Sequence, residues 1–226
     1  MRTYTLDARL QTIEEMIPRC GLVADIGCDH GRLGARLLLD GCARRVAFAD
    51  ISAPSLDKAR ALIRRLGLET QAAFFVGDGA LALRETPDCA VIAGMGGETI
   101  AGIVEAGRSV LRDALLVMQP NVAQYELRLR LMRLGYRIED ERVVSAGRWY
   151  IVIAARPGAA AYDERELMIG PVLLKRRDHA LRGYAAFRAR VVEKALLGAR
   201  EGNDPAAGLL AREYDLWKEI ERWPQP

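Results

Sequence analysis

Leu22-Val23-Ala24-Asp25-Ile26-Gly27-Cys28-Asp29-His30-Gly31 is the stretch from which the fold is read. A short run, apolar except for Asp25, stops at a glycine, and helical character returns over residues 31–40. Such a run reads as a strand buried on both faces, as in a parallel sheet. The glycine that follows lets the backbone approach a ligand closely. In open α/β sheets ligands lie beyond the carboxyl ends of the strands, near the point where strand order reverses. A ligand is therefore expected at Gly27 to Gly31.

Working outward, the same alternation repeats. Upstream, Leu6, Leu10, Ile13 and Ile17 recur at helical spacing over residues 5–17, and Pro18 and Gly21 close that helix. Downstream, apolar runs at 46–49, 72–76, 90–93 and 115–118 read as strands, with helices expected at 54–66, 98–108 and 121–134. Strands at 137–144 and 149–155 follow, joined by the tight turn Ser145-Ala146-Gly147. Five βα units and a hairpin imply an α/β fold: a parallel sheet with helices on both faces and antiparallel pairing at one edge. Residues 156–161 (RPGAAA) read as a linker. Beyond it, helices at 172–197 and 206–222, separated by the turn GAREGNDP, suggest a helical hairpin. Two domains are expected, at residues 1–156 and 162–226.

Composition narrows the class. The chain has 226 residues, 50% hydrophobic and 28% charged, with a net charge of +3; these are the proportions of a globular protein. No apolar run approaches the roughly 20 residues that span a bilayer. The first sixteen residues carry charges where a signal peptide needs an apolar core. A cytoplasmic protein without a membrane partner is expected, with a monomer favoured. The four cysteines (20, 28, 42 and 89) form no C-x-x-C unit, and there are two histidines. No metal site is expected.

Four motifs close the strands. The first is Asp25-Ile26-Gly27-Cys28-Asp29-His30-Gly31. A dinucleotide site would read G-x-G-x-x-G and hold a pyrophosphate at the helix start. Here Asp29 occupies the second glycine position, and its carboxylate repels a pyrophosphate. S-adenosylmethionine has no phosphate and carries a cationic sulfonium, so it suffers no such repulsion. Asp50, closing the second strand, stands where a carboxylate accepts both ribose hydroxyls. Asp29 and Asp50 are also plausible caps. The second motif is Gly77-Asp78-Gly79, where Asp78 could accept from an adenine amino group or simply shape a polar turn. The third, Gly94-Met95-Gly96-Gly97, holds three glycines in four residues, which suggests close backbone approach or motion; Met95 reads as a lid or packing residue. The fourth is Gln119-Pro120-Asn121. Gln119 and Asn121 offer donors and acceptors for a base edge, and Asn121 also sits where an N-cap belongs.

Taken in order, ADIGCDHG, AD at the second strand, GDG, IAGMGGE and QPN resemble the bacterial tRNA (adenine-22-N1)-methyltransferases, from about residue 6 to 155. The chain departs from that pattern at Gly31 and Arg32, and at Asp50, where some members carry Glu. The resemblance implies a class I Rossmann-like methyltransferase sheet of order 3-2-1-4-5-7-6, with the last strand antiparallel, followed by a C-terminal helical hairpin. It implies S-adenosyl-L-methionine as cofactor, held at Asp25, Gly27, Cys28, His30, Asp50, Ile51, Asp78, Gly79, Gly94, Met95 and Gly96. It points to Asp29 as the catalytic residue.

The expected substrate is tRNA, with Gly97, Gln119, Asn121 and Tyr150 near the target base. Methylation at adenine N1 makes the ring cationic, and a carboxylate beside it stabilises that charge as it develops. The stretch 175–190, with Lys175, Arg176, Arg177 and Arg182 at its head, is the most basic of the chain. It is expected to grip the RNA backbone or else to be a solvated helix face. The rival readings are a methyltransferase for a small molecule or a protein, a non-catalytic RNA-binding relative, and an NAD-dependent oxidoreductase.

Overall fold

The strand quoted first, β1 (Cys20–Ile26), lies at the centre of a seven-stranded sheet in a computed structural model that describes residues 5–224. Residues 1–4 and 225–226, the outer ends of the two expected domains, lie outside the described residues. β1 pairs in parallel with β2 (Ala43–Asp50) on one side and β4 (Cys89–Met95) on the other. β3 (Ala72–Val76) and β5 (Leu115–Pro120) extend the parallel set outward. β6 (Tyr136–Ser145) and β7 (Trp149–Pro157) form a hairpin, and β7 inserts antiparallel between β5 and β6. The order is β3-β2-β1-β4-β5-β7-β6, as the resemblance implied.

Burial follows the sequence pattern. Leu22 to Ile26 of β1, and every residue of β5, are buried. Helices supply the cover: α1 (Ala8–Glu15), α2 (Arg32–Leu39), α3 (Ala53–Leu66), α4 (Gly97–Ala106), α5 (Arg108–Leu111) and α6 (Gln124–Arg133). One core cluster joins Ile13 and Ile17 beside α1, Leu37 of α2, Leu56 and Ile63 of α3, and Val23, Phe48, Val91 and Val117 of the strands. Phe48 stacks on Phe74 with ring centroids 5.1 Å apart.

Two expected helices are divided. The helix expected at 98–108 ends at Gly107, where the chain passes so close to Ala80 that a Cβ would stand 2.4 Å from its Cβ; α5 then starts afresh. The helix expected at 172–197 is two helices, α8 (Pro171–Arg176) and α9 (His179–Glu201). Arg177 adopts a left-handed conformation (φ 50°) that closes α8, and Asp178 caps α9 by accepting from the Leu181 amide at 2.8 Å. An unforeseen α7 (Glu164–Ile169) precedes them; Gly170 (φ 123°) ends it and Pro171 opens the next helix.

The chain divides into two compact units, Met1–Asp163 and Glu164–Pro226. In the second, α9 packs on α10 (Ala207–Glu221) through Leu181, Ala185, Ala189, Val192 and Leu196 against Trp217 and Ile220. Tyr184 meets Trp217 edge to face at 5.4 Å. Among the described residues, no helix is long and apolar enough to cross a membrane.

Candidate active site

Beyond the carboxyl ends of β1, β2 and β4 lies one hollow of about 780 Å³. Asp25, Asp29, Asp50 and Asp78 all line it, as do Gly27, Cys28, His30, Ile51, Gly79, Gly94 and Met95. Strand-end carboxylates more than fifty residues apart in sequence thus share one cavity because parallel strands all deliver their loops to the same edge.

The loop after β1 sets the geometry. Gly27 has φ 70° and lies so close to Met95 that a Cβ would sit 2.1 Å from the methionine methyl. Asp29 also has φ 46°, a left-handed conformation that Asp tolerates better than most residues. Its backbone N–H donates to Asp50 Oδ2 at 3.1 Å, and the Ser52 N–H donates to Asp50 Oδ1 at 2.8 Å. The Asp50 carboxylate therefore ties the β1 loop to the β2 loop. Neither carboxylate is a helix cap: Gly31 precedes α2 and Ser52 caps α3. Asp29 is two-thirds exposed, and its Oδ2 meets His30 Nδ1 at 2.6 Å.

Asp25 behaves differently. It is buried and accepts one hydrogen bond, from the Gly34 N–H at 3.2 Å. Desolvation raises its carboxyl to about 7, opposed by the Gly34 hydrogen bond and reinforced by the nearby Asp50 charge. Burial likewise pushes the Cys28 thiol up, so this cysteine is a packed apolar group and not a thiolate nucleophile.

A second constellation sits beside the hollow. Arg9 of α1 donates to the buried Gln119 Oε1 at 2.8 Å. Gln119 Nε2 donates to Asn121 Oδ1 at 3.2 Å, and Arg148 donates to the same oxygen at 3.1 Å. Asn121 Nδ2 donates to the Gly94 carbonyl at 2.7 Å. Asn121 is no helix cap; Ala123, with φ 59°, precedes α6. The half-buried Tyr150 ring lies 4.8 Å from the Arg148 guanidinium carbon and 5.6 Å from that of Arg9. Arg9, Asp7, Arg32 and Thr99 line the hollow as well and were missed in the sequence, where α1 read only as a core helix.

Two glycines stand apart from the hollow. Gly96 does not line it, and Gly97 is buried where a Cβ would come 2.0 Å from the Ala123 carbonyl oxygen. Gly97 serves the packing of α4 against the 121–123 loop. In the other unit Lys175, Arg176 and Arg177 are exposed, and Arg177 lies 4.8 Å over the Trp223 ring. Arg182 is half-buried, and Arg188 is paired with Glu213 at 2.5 Å. Among the described residues, no group of three His, Cys, Asp or Glu could hold a metal ion.

The donor set fits S-adenosylmethionine. Four carboxylates face a cavity of nucleoside size, which suits a ribose diol and two positive charges and opposes a phosphate.

Comparison with known proteins agrees with this geometry. A methyltransferase domain family model matches residues 6–153. The tRNA (adenine(22)-N(1))-methyltransferase of Bacillus subtilis is 33% identical over 187 residues, covering 79% of each chain. The crystal structure of the B. subtilis m1A22 tRNA methyltransferase TrmK superposes with a TM-score of 0.87 at 27% identity, over 97% of this chain and 100% of that one. A Streptococcus pneumoniae structure in complex with S-adenosyl-L-methionine, 24% identical over 96% of this chain and 100% of its own, has the same fold with a TM-score of 0.87. With a strand order, a carboxylate-edged cavity and a relative of this similarity in agreement, the chain belongs to the tRNA (adenine(22)-N(1))-methyltransferase family.

Proposed function

We propose that this protein transfers the methyl group of S-adenosylmethionine to N1 of adenine 22 in tRNA. The observation that carries the reading is the convergence of Asp25, Asp29, Asp50 and Asp78 on one hollow. When bound, the cofactor supplies a methyl group on a positively charged sulfur. Asp50 and Asp78 are assigned to the ribose hydroxyls and the adenine amino group of the cofactor, with Gly27 and Gly94 offering bare backbone beside it. Asp29 is assigned the catalytic role. Its carboxylate is exposed at the hollow beside His30, so it is placed to stabilise positive charge growing on the target purine. No covalent enzyme intermediate is required, in keeping with the buried Cys28.

Gln119 and Asn121 have their amides oriented by Arg9, Arg148 and the Gly94 carbonyl, and so present a fixed edge next to the hollow. Tyr150 stands beside them. The target adenine must leave its stack to enter the hollow. Lys175, Arg176, Arg177 and Arg182 are assigned to RNA phosphates.

The deciding experiment incubates the protein with unmodified tRNA and S-adenosylmethionine, then maps nucleosides by mass spectrometry. 1-Methyladenosine at position 22 is expected. Methyl transfer to a small molecule or a protein, with tRNA untouched, overturns the substrate.

A further inference from the structure

Arg9 lines the acidic hollow and Arg148 stands beside it on the same amide network, and among the described residues neither guanidinium is paired with a carboxylate. In the methyltransferase unit several arginines are matched to carboxylates: Arg36 to Asp40, Arg45 to Glu85, Arg128 to Glu141, Arg137 to Glu139 and Arg142 to Glu15. Among the described residues no carboxylate lies within salt-bridge distance of Arg9 or Arg148. Their hydrogen bonds go instead to two neutral amides, Gln119 Oε1 and Asn121 Oδ1, and both guanidinium groups lie against one ring, Tyr150. Three separate elements deliver this arrangement: α1, the carboxyl end of β5, and the turn between β6 and β7. Neutral amides satisfy the hydrogen-bonding needs of a guanidinium and leave its charge intact.

A nucleotide entering this site presents two chemistries. Its base is neutral and becomes positive on methylation, which suits the carboxylates inside. Its phosphates are negative and are repelled by the same carboxylates, so they must remain outside. They stay at its edge, where Arg9 lines the hollow and Arg148 reaches Asn121, which is bonded to the Gly94 carbonyl of the lining.

We propose that Arg9 and Arg148 form a phosphate clamp for the RNA backbone on either side of the methylated nucleotide. Both are anchored on Tyr150, so their separation cannot exceed their two distances to its ring taken together, a span that the phosphates flanking one nucleotide bridge. The acidic interior with these two guanidinium groups outside it admits a nucleotide base first. The proposal rests on the tRNA reading above and names how that substrate is held.

The test measures equilibrium binding of unmodified tRNA to the full chain as a function of salt, for wild type and for R9Q, R148Q, R9K and R148K. Binding of S-adenosylhomocysteine is followed by calorimetry in parallel. Each phosphate contact contributes about 0.7 to the slope of log affinity against log salt for a single strand. R9Q and R148Q are expected each to lower that slope by about this amount and to weaken tRNA binding roughly ten-fold at low salt, a loss well beyond any in cofactor-product affinity. The lysine variants keep the charge and are expected to keep most of the slope. If the glutamine variants retain the wild-type slope, or the lysine variants lose as much slope as the glutamine ones, the arginines merely brace the amides and the clamp is wrong. If the wild type itself neither binds nor methylates tRNA, the substrate reading fails, and the clamp fails with it.

Discussion

Asp29 and Asp25 are four residues apart and occupy opposite environments. Asp29 is exposed, held in a left-handed backbone conformation, and tied through its amide to Asp50. Changing Asp29→Asn keeps the shape and removes the charge; kcat is expected to fall on the order of 10²-fold, as when a charge-stabilising group is lost from other active sites. S-adenosylhomocysteine affinity should be nearly unaltered, and equal losses in both would move Asp29 into cofactor binding. Asp25 is buried, and its carboxyl is raised to about 7 by desolvation. An unfolded Asp ionises near 4, so between roughly pH 4 and 7 the folded state holds the extra proton. This group's contribution to stability is complete below the unfolded value and is lost as pH rises through about 7. In urea titrations the unliganded wild type should lose stability relative to Asp25→Asn between pH 5 and pH 8, by about 2–3 kcal/mol. A wild type that gains on the variant over that range would reverse the sign. At this scale the carboxylates were legible, because Asp25 interrupts an apolar run, Asp50 closes one, and Asp29 and Asp78 lie in the glycine turns that follow. Arg9 and Arg148 were not: a tertiary arrangement brings them to Tyr150 across more than a hundred residues of chain.

Among the elements, α6 and β6 share the deepest charge of the fold. Arg128 and Glu141 are both fully buried, with Nε donating to Oε1 at 2.8 Å. Taking one member away leaves an uncompensated charge in the core, which costs about 3–5 kcal/mol. Glu141→Ala should lower the urea midpoint accordingly, and a double change to Met at Arg128 and Leu at Glu141 should recover much of the loss. Helical periodicity marks which side of α6 is apolar but does not reveal that a glutamate from a neighbouring strand reaches the arginine on that side. The broken helix near Arg177 has a similar cause. Apolar spacing runs on through residues 172–197, whereas the stop is written in Asp178, whose carboxylate captures the Leu181 amide, and in the Gly170-Pro171 pair. Both signals were in the sequence and were outvoted by the periodicity.

For the molecule as a whole, the sheet order was accessible because five strand–helix units leave few right-handed arrangements, and the family resemblance selected one of them. The second unit was legible only as helices, since a helical hairpin carries no strand-end motif to announce a role. Each unit buries a core of its own, so a chain ending at Asp163 is expected to fold and to bind S-adenosylhomocysteine by calorimetry with near-native affinity. Replacing Lys175, Arg176, Arg177 and Arg182 by Gln in the full chain should weaken tRNA binding and flatten its salt dependence, with cofactor-product binding intact. An unchanged salt dependence would make that stretch a solvated face.

The position of β7 also governs the order in which the protein is built on the ribosome. β5 is complete by Pro120, and its partner on one side, β4, has already been made. Its other partner is β7, which ends at Pro157; β6 emerges in between and borders β7 alone. For the whole of that interval the nascent chain displays the unpaired edge of a strand that opens with four apolar residues, Leu115-Leu116-Val117-Met118, the kind of edge that recruits a strand from another molecule. A polypeptide stalled or cleaved before Trp149 is thus a seed for aggregates, whatever the stability of the finished enzyme.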